Sequence, residues 1–330
     1  MERITVKDKQ YGVVSLFAGI GGLDLGFEFA GFNLIWANDF DKYAAMTYRR
    51  NVGDHIVEGD IRLVKDSIPP HDVLIGGFPC QPFSSLGRQK GFEDSKERGT
   101  LFFEIMSIVD KHRPKVIVLE NVINLLYHDK KRTFARIVSE LEDAGYYVNY
   151  QLLNTADYGI PQSRNRVFIV AFDQNCFECV PFQYPLKEEL KITTQDLMDE
   201  EVAVNHFLTK KVSHTILDYT TKLANKYPRI DQQVSKALCA SMNKWHRASQ
   251  DNYLTDDKNF RRLGCPEDRI NIRRLTPNEC RKLQGFPSDW VQVVSDAQAY
   301  KQFGNAVTVD VAYKVACKVL NHMNEYLINK

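Results

Sequence analysis

The chain predicts an α/β fold, a doubly wound parallel sheet with a smaller, irregular, β-containing second domain. Three observations carry this. Short apolar runs alternate with longer mixed segments from Tyr11 to about Phe172, a glycine-rich turn follows the first run, and the alternation stops beyond Phe172. The runs Val13-Val14-Ser15-Leu16-Phe17, Asn33-Leu34-Ile35-Trp36-Ala37, Asp72-Val73-Leu74-Ile75, Val116-Ile117-Val118-Leu119 and Arg166-Val167-Phe168-Ile169-Val170 read as buried parallel strands. Helical spacing lies between them over residues 101–109 and 134–141, the latter ending at Gly145. The β-rich stretch 145–153, a turn at Tyr158-Gly159-Ile160-Pro161 and the Val167 run suit a terminal antiparallel hairpin. Pro181, Pro185 and the charged Lys187-Glu188-Glu189 mark a linker, and residues 202–272 read as an irregular basic domain. Residues 308–320 regain helical spacing, as a helix that packs back on the sheet.

Composition narrows the class. At 330 residues, 44% hydrophobic and 26% charged, the chain can bury one large core or two modest ones. No apolar run approaches the roughly 20 residues of a membrane span, and the N-terminus has no signal pattern, so a soluble intracellular protein is expected, with no membrane partner. Seven dispersed cysteines argue for reduced thiols rather than a disulfide framework. Cys176 and Cys179 have C-x-x-C spacing but no second ligand pair nearby, so no metal is expected. Net charge is only +1, yet residues 202–274 carry 14 Lys/Arg against 7 Asp/Glu, an excess of +7. That segment suits a polyanion, although a merely solvated basic face has the same composition.

Two features bear chemistry. After the first run, Phe17-Ala18-Gly19-Ile20-Gly21-Gly22-Leu23 forms a glycine-rich turn opening a helix, where a backbone can approach a ligand closely. Asp39 at the end of the second run can accept ribose hydroxyls, and Asp60 an exocyclic adenine amine, unless both merely cap helices. This much fits either NAD or S-adenosylmethionine. The second feature is Gly76-Gly77-Phe78-Pro79-Cys80-Gln81-Pro82-Phe83-Ser84. Prolines on either side stiffen the turn and hold Cys80 as an exposed nucleophile rather than a small core hydrophobe. Hydride transfer needs no thiol there; methyl transfer to an unreactive ring carbon does.

The ordered blocks 17–22, 77–84, Glu120-Asn121-Val122, Gln162-Ser163-Arg164-Asn165-Arg166, Arg274-Leu275-Thr276-Pro277-Asn278-Glu279 and Gln302-Phe303-Gly304-Asn305-Ala306-Val307 together resemble the cytosine-C5 DNA methyltransferases, of bacterial restriction-modification type. The resemblance covers nearly the whole chain except the basic segment. It implies a Rossmann-like S-adenosylmethionine-dependent methyltransferase sheet at 11–185 plus 302–330, and a target-recognition domain with its hinge at 186–301.

It also implies S-adenosylmethionine as methyl donor, double-stranded DNA as substrate with the target cytosine flipped out, a cognate restriction endonuclease as functional companion, and a monomer. Cys80 would add to cytosine C6, Glu120 would protonate N3, Arg166 would bond O2, and Arg164 would serve a support or phosphate role. The cofactor would lie against Phe17, Ala18, Gly19, Gly21, Gly22, Leu23, Asp39, Phe40, Asp60, Ile61, Phe78, Pro79, Asn305 and Val307. Residues 84–99, with Arg88, Lys90, Lys96 and Arg98, have the length and charge to close over DNA or form a merely solvated basic loop; residues 227–241 resemble the start of the recognition region, and residues 242–253 carry side chains able to contact base edges and phosphates. Asp39 stands where glutamate is commoner in the family, and Phe78 where proline is commoner. Three rivals remain: a transfer-RNA cytosine methyltransferase, whose usual Cys-Phe-Thr element is absent, a non-catalytic DNA-binding module, and an NAD oxidoreductase.

Overall fold

The computed structural model describes residues 11–78, 101–217, 230–244 and 251–328. Pro79, Cys80, residues 84–99, Tyr227-Pro228-Arg229 and residues 245–250 lie outside them. The chain begins as alternating strands and helices: β1 (Gly12–Leu16), α1 (Gly22–Phe29), β2 (Asn33–Asp39), α2 (Lys42–Asn51), β3 (Ile56–Glu58), the single turn α3 (Ile61–Val64), β4 (Val73–Gly77), α4 (Leu101–His112), β5 (Val116–Val122), α5 (Arg132–Asp143) and β6 (Tyr146–Asn154). A two-residue β7 (Gln162–Ser163) leads into β8 (Asn165–Asp173).

Seven strands form one sheet in the order β3-β2-β1-β4-β5-β8-β6. Neighbours from β3 to β5 run parallel, and the order reverses between β1 and β4 as in doubly wound sheets. β8 is antiparallel to β5, with Glu120 opposite Phe168 and Val122 opposite Arg166. The parallel reading of the Arg166–Val170 run is thus corrected. An apolar run reports burial on both faces of a strand and says nothing of direction, and the short return from β6 leaves β8 no helical crossover with which to run parallel. β8 sits beside β6, as the hairpin reading expected. β3 has only three residues and was not foreseen.

The core is continuous across the central strands: Val14, Leu16, Leu74, Ile117, Leu119, Val167 and Ile169 are all essentially inaccessible. α1 is buried almost throughout. Gly26 explains how, because a Cβ there would lie 2.6 Å from the Tyr313 backbone nitrogen, so α1 packs backbone to backbone on a C-terminal helix. Close packing of this kind leaves no room for a side chain.

Contacts divide the chain into two compact units. The sheet unit holds the described residues up to Leu153, then Asn165–Leu186 and the residues from Val311 on. The second unit holds Asn154–Arg164 and Lys187–Asp310. Its elements are β9 (Phe207–Thr209), α6 (Lys210–Leu217), β10 (Ser235–Lys236), β11 (Tyr253–Thr255), α7 (Asp257–Arg262), β12 (Arg269–Arg274), α8 (Pro277–Leu283) and α9 (Asp296–Asn305). α10 (Val309–Tyr326) carries the chain back, and in the sheet unit His322 stacks on Phe172 of β8 at 4.2 Å. In the second unit β11, β12 and β9 form a small sheet, and β10 pairs with β7. Arg273 is buried between Asp256 and Glu279, at 2.7 and 2.8 Å, where the two carboxylates offset the cost of burying its charge.

Candidate functional site

The carboxyl ends of β1, β2 and β3 make the first half of the site. Leaving β1, Phe17 adopts φ 55°, Gly19 58° and Gly21 87°, a run of left-handed conformations costly for phenylalanine and natural for glycine. The turn is tied to β2 by its backbone: Ala18 N–H donates to Asn38 O at 2.9 Å, and Gly19 N–H to Asp39 Oδ2 at 2.8 Å. Asp39 Oδ1 accepts from Asp41 N–H at 2.8 Å, so the carboxylate is both buried and aimed. Asn38 Nδ2 donates to Val57 O and Gly59 O, fixing the approach to Asp60.

Among the described residues, no atom beyond Gly19 and its two neighbours lies within 4 Å of where a Cβ on Gly19 would stand. Phe40 stands 77% exposed beside Asp39. Of the other expected cofactor residues, Phe17 and Ala18 are half-buried, while Gly21, Gly22, Leu23, Ile61 and Phe78 are buried, the last two in the main core. Asp60 caps α3 through Arg62 N–H and pairs with the Arg62 side chain, whose hydrogen bonds pull its carboxyl down to about 2. The capping alternative therefore describes Asp60 as it stands.

Beneath the turn lies a polar group that sequence reasoning missed. Asp24, wholly buried in the first turn of α1, accepts from Ser15 Oγ at 3.0 Å and from Tyr48 OH at 2.8 Å. Tyr48 OH also meets His55 Nε2 at 2.8 Å. Burial raises the Asp24 carboxyl to about 6 despite these bonds, and raises the Tyr48 hydroxyl as well. The only signal was an acidic residue inside the apolar run Leu23-Asp24-Leu25.

The second half lies at the carboxyl ends of β4 and β5. Gly77 is opposite Glu120 in the parallel pair, which puts Phe78, the residue before Pro79-Cys80, next to Asn121. Asn121 Nδ2 donates to Phe78 O at 2.8 Å, and its Oδ1 accepts from Val122 N–H at 2.9 Å. Because β8 is antiparallel, its first residues stand beside the end of β5. Arg166 Nε therefore reaches Glu120 Oε1 at 3.0 Å, while Nη1 donates to Asn165 O. Glu120 is 7% exposed, so a buried carboxylate and a nearly buried guanidinium face each other at the sheet's end. Such a pair can hold a planar polar ring by its hydrogen-bonding edge.

Arg164 goes elsewhere. In the second unit it is 2% exposed, and its guanidinium donates to the carbonyls of Leu238 at 2.9 Å, Gly304 at 3.2 Å and Ala306 at 2.7 Å. Three backbone acceptors describe a support. Asn305, exposed at the end of α9, and the buried Val307 also belong to the second unit. Arg274 lies over the Tyr300 ring at 4.8 Å, in a small cleft with Met242 and Tyr253.

Comparison with known proteins gives this geometry a context. The sequence matches the family model for C-5 cytosine-specific DNA methylase over residues 11–321. It is 37% identical over 320 residues to the type II methyltransferase M.DsaV of Dactylococcopsis salina, covering 97% of this chain and 88% of that protein. To M.Bsp6I of Bacillus sp. (strain RFL6) it is 38% identical over 322 residues, covering 94% and 99%. To M.HhaI of Haemophilus parahaemolyticus it is 34% identical over 339 residues, covering 97% and 98%. In fold it is similar to the S. pombe Dnmt2 methyltransferase, with TM-score 0.73 at 20% identity over 96% of this chain and 100% of that one. Family match and relatives together span nearly the whole sequence, and the chain belongs to the C-5 cytosine-specific DNA methylases.

Proposed function

We propose that this chain methylates C5 of a cytosine flipped out of a specific duplex DNA sequence, through a covalent bond between Cys80 and C6. The observation that carries the reading is the Glu120–Arg166 pair, 3.0 Å apart at the sheet's end, beside a strand whose next residues are Phe78-Pro79-Cys80.

In this reading the Cys80 thiolate adds to C6, and the electron pair of the C5–C6 double bond moves toward C5 while Glu120 gives a proton to N3. Arg166 bonds the base O2 and holds Glu120 in line. S-adenosylmethionine, when bound, supplies an electrophilic methyl group. A water then takes the C5 proton, the C5–C6 double bond re-forms, the Cys80 sulfur leaves as thiolate, and N3 returns its proton to Glu120.

The residues at the first half of the site fit that donor: a glycine turn, a buried acid at Asp39 for ribose hydroxyls and an exposed aromatic at Phe40 for a purine face. Asp60 and Ile61 would border the adenine. The sheet unit would carry cofactor and chemistry, and the basic second unit would read the sequence. The chain would protect host DNA against a cognate endonuclease and act as a monomer. No helix among the described residues is long and apolar enough to cross a membrane.

The test is transfer of labelled methyl from S-adenosylmethionine to duplex DNA and, separately, to transfer RNA. Bisulfite sequencing of DNA from expressing cells locates the product. Label in duplex DNA at one short sequence is expected; label confined to RNA overturns the proposal.

A further inference from the structure

We propose that Gln162, Arg164 and Gly304 are positioning residues for the segment 239–244, and that through it they set the choice of DNA target. The inference rests on the proposed reading of the second unit as the part that reads DNA.

Leu238 is the fixed point. Its N–H donates to Gln162 Oε1 at 2.9 Å and its carbonyl accepts from Arg164 Nη1 at 2.9 Å, so two side chains from the 162–164 stretch grip both backbone groups of one residue. Gln162 and Arg164 are 0% and 2% exposed. Each is anchored in turn: Gln162 Nε2 donates to Leu283 O at 2.6 Å, and Arg164 Nη2 to Gly304 O and Ala306 O. Gln284, also fully buried, donates to Phe303 O and accepts from Thr308 Oγ1 at 2.8 Å. One buried network therefore joins Leu238 to the ends of α8 and α9.

A second observation is steric. A Cβ on Gly304 would lie 2.5 Å from the Cys239 carbonyl oxygen and closer still to Ala240 N, so the end of α9 and the start of the segment touch backbone to backbone. From there the chain forms a short 3-10 turn, Ala240–Lys244. Met242 is buried against the cleft of Tyr253, Arg274 and Tyr300, while Lys244 is exposed. The segment is thus gripped at its start, pinned at its middle and presented at its end.

A buried guanidinium costs more than an apolar filler unless every bond is made, so a network of this density fixes position more than it adds stability. What it positions is a segment carrying Ser241 and Lys244, side chains suited to phosphates and base edges. On this account Arg164 acts through the recognition segment and Arg166 on the base.

The experiment uses the full chain with Gly304→Ala, Gln162→Met and Gln162→Glu, the last keeping an acceptor for Leu238 N–H. Each is assayed on a randomised duplex library for the ratio of target to single-mismatch methylation, for KM toward DNA, for the single-turnover rate at saturating DNA, and for urea stability. Gly304→Ala and Gln162→Met are expected to lower the site ratio and raise KM by about tenfold, the scale of one mismatched base pair, with the single-turnover rate within about threefold. Gln162→Glu is expected to recover part of the site ratio. A wild-type ratio in both disruptive variants, whether or not stability falls, overturns the proposal, as does a lowered single-turnover rate with the ratio unchanged. Failure of the unmodified protein to methylate duplex DNA would instead refute the functional reading beneath it.

Discussion

Replacing Asn121 by alanine removes a bond that holds Phe78, the residue before Pro79-Cys80, and its effect on rate can be bounded from the geometry. Asn121 is 3% exposed, and its amide donates to Phe78 O at 2.8 Å. Losing it leaves a buried carbonyl unsatisfied, which costs about 1–3 kcal/mol. That cost can fall in two places. If Phe78 stays put, folding stability carries it; if the chain shifts to find water, Pro79-Cys80 shifts too, and the reactive arrangement carries it. At about 1.4 kcal/mol per tenfold, full transfer to the barrier slows the single-turnover rate by roughly 5- to 150-fold, with stability nearly unchanged. The assay is single-turnover methylation at saturating DNA and cofactor, run beside urea unfolding, and the two losses together should come to about 1–3 kcal/mol. Asn121→Asp sharpens it, because the isosteric carboxylate keeps the acceptor for Val122 N–H but turns an oxygen toward Phe78 O. The aspartate variant must therefore be the slower or less stable of the two. An alanine variant with wild-type rate and stability, or an aspartate variant that outperforms it, would refute the positioning role.

Four further outcomes are expected. Cys80→Ala should abolish methylation while duplex binding in a gel-shift assay persists; undiminished turnover removes the sulfur from the mechanism. Glu120→Gln should lower the single-turnover rate by about 10²- to 10⁴-fold, the usual contribution of a proton donor, and a loss under about threefold would leave Glu120 with only a structural role. Asp24 has its carboxyl raised from 3.8 to about 6 in the folded chain, so its contribution to stability is full below about pH 4 and is lost as pH rises through about 6, in all about 3 kcal/mol. Asp24→Asn should remove that part of the slope, read as the stability difference between the two proteins at pH 4.5 and 7.5; a constant difference refutes the assignment. Gly26→Ala should destabilise by about 1–3 kcal/mol in urea unfolding, because its Cβ meets the α10 backbone, and a neutral result would mean that α1 and α10 are not packed as described.

Much of the sheet unit was legible because its signals are local. An apolar run of five residues bounded by turn residues makes a buried strand wherever it sits, and a glycine turn after the first of them needs nothing distant to explain it. The place of Asp39, at the end of the second strand, follows from counting elements. Direction and partnership were harder. The run that became β8 looks like the others, and only its pairing with β5 turns Arg166 toward Glu120. Asp60 was read for what its carboxylate could offer a ligand, yet Arg62, two residues on, already engages it.

Gln162 and Arg164 mark where local reading runs out most clearly. Both stand in a block whose spelling suggests a site, and the alternation Arg164, Arg166 sends their side chains to different surroundings, as a strand requires. What each one meets is decided by residues far off in sequence: Arg166 by Glu120, 46 positions back, and Arg164 by Leu238 and Ala306, 74 and 142 positions ahead. No spacing rule within the block distinguishes the arginine that faces the sheet's end from the one that grips three carbonyls. A shared motif can therefore contain residues with two tasks, and mutating the block as a whole would confound chemistry with positioning. Separating them needs a readout that moves for one task and not the other, and the ratio of target to mismatch methylation set against the single-turnover rate is such a readout.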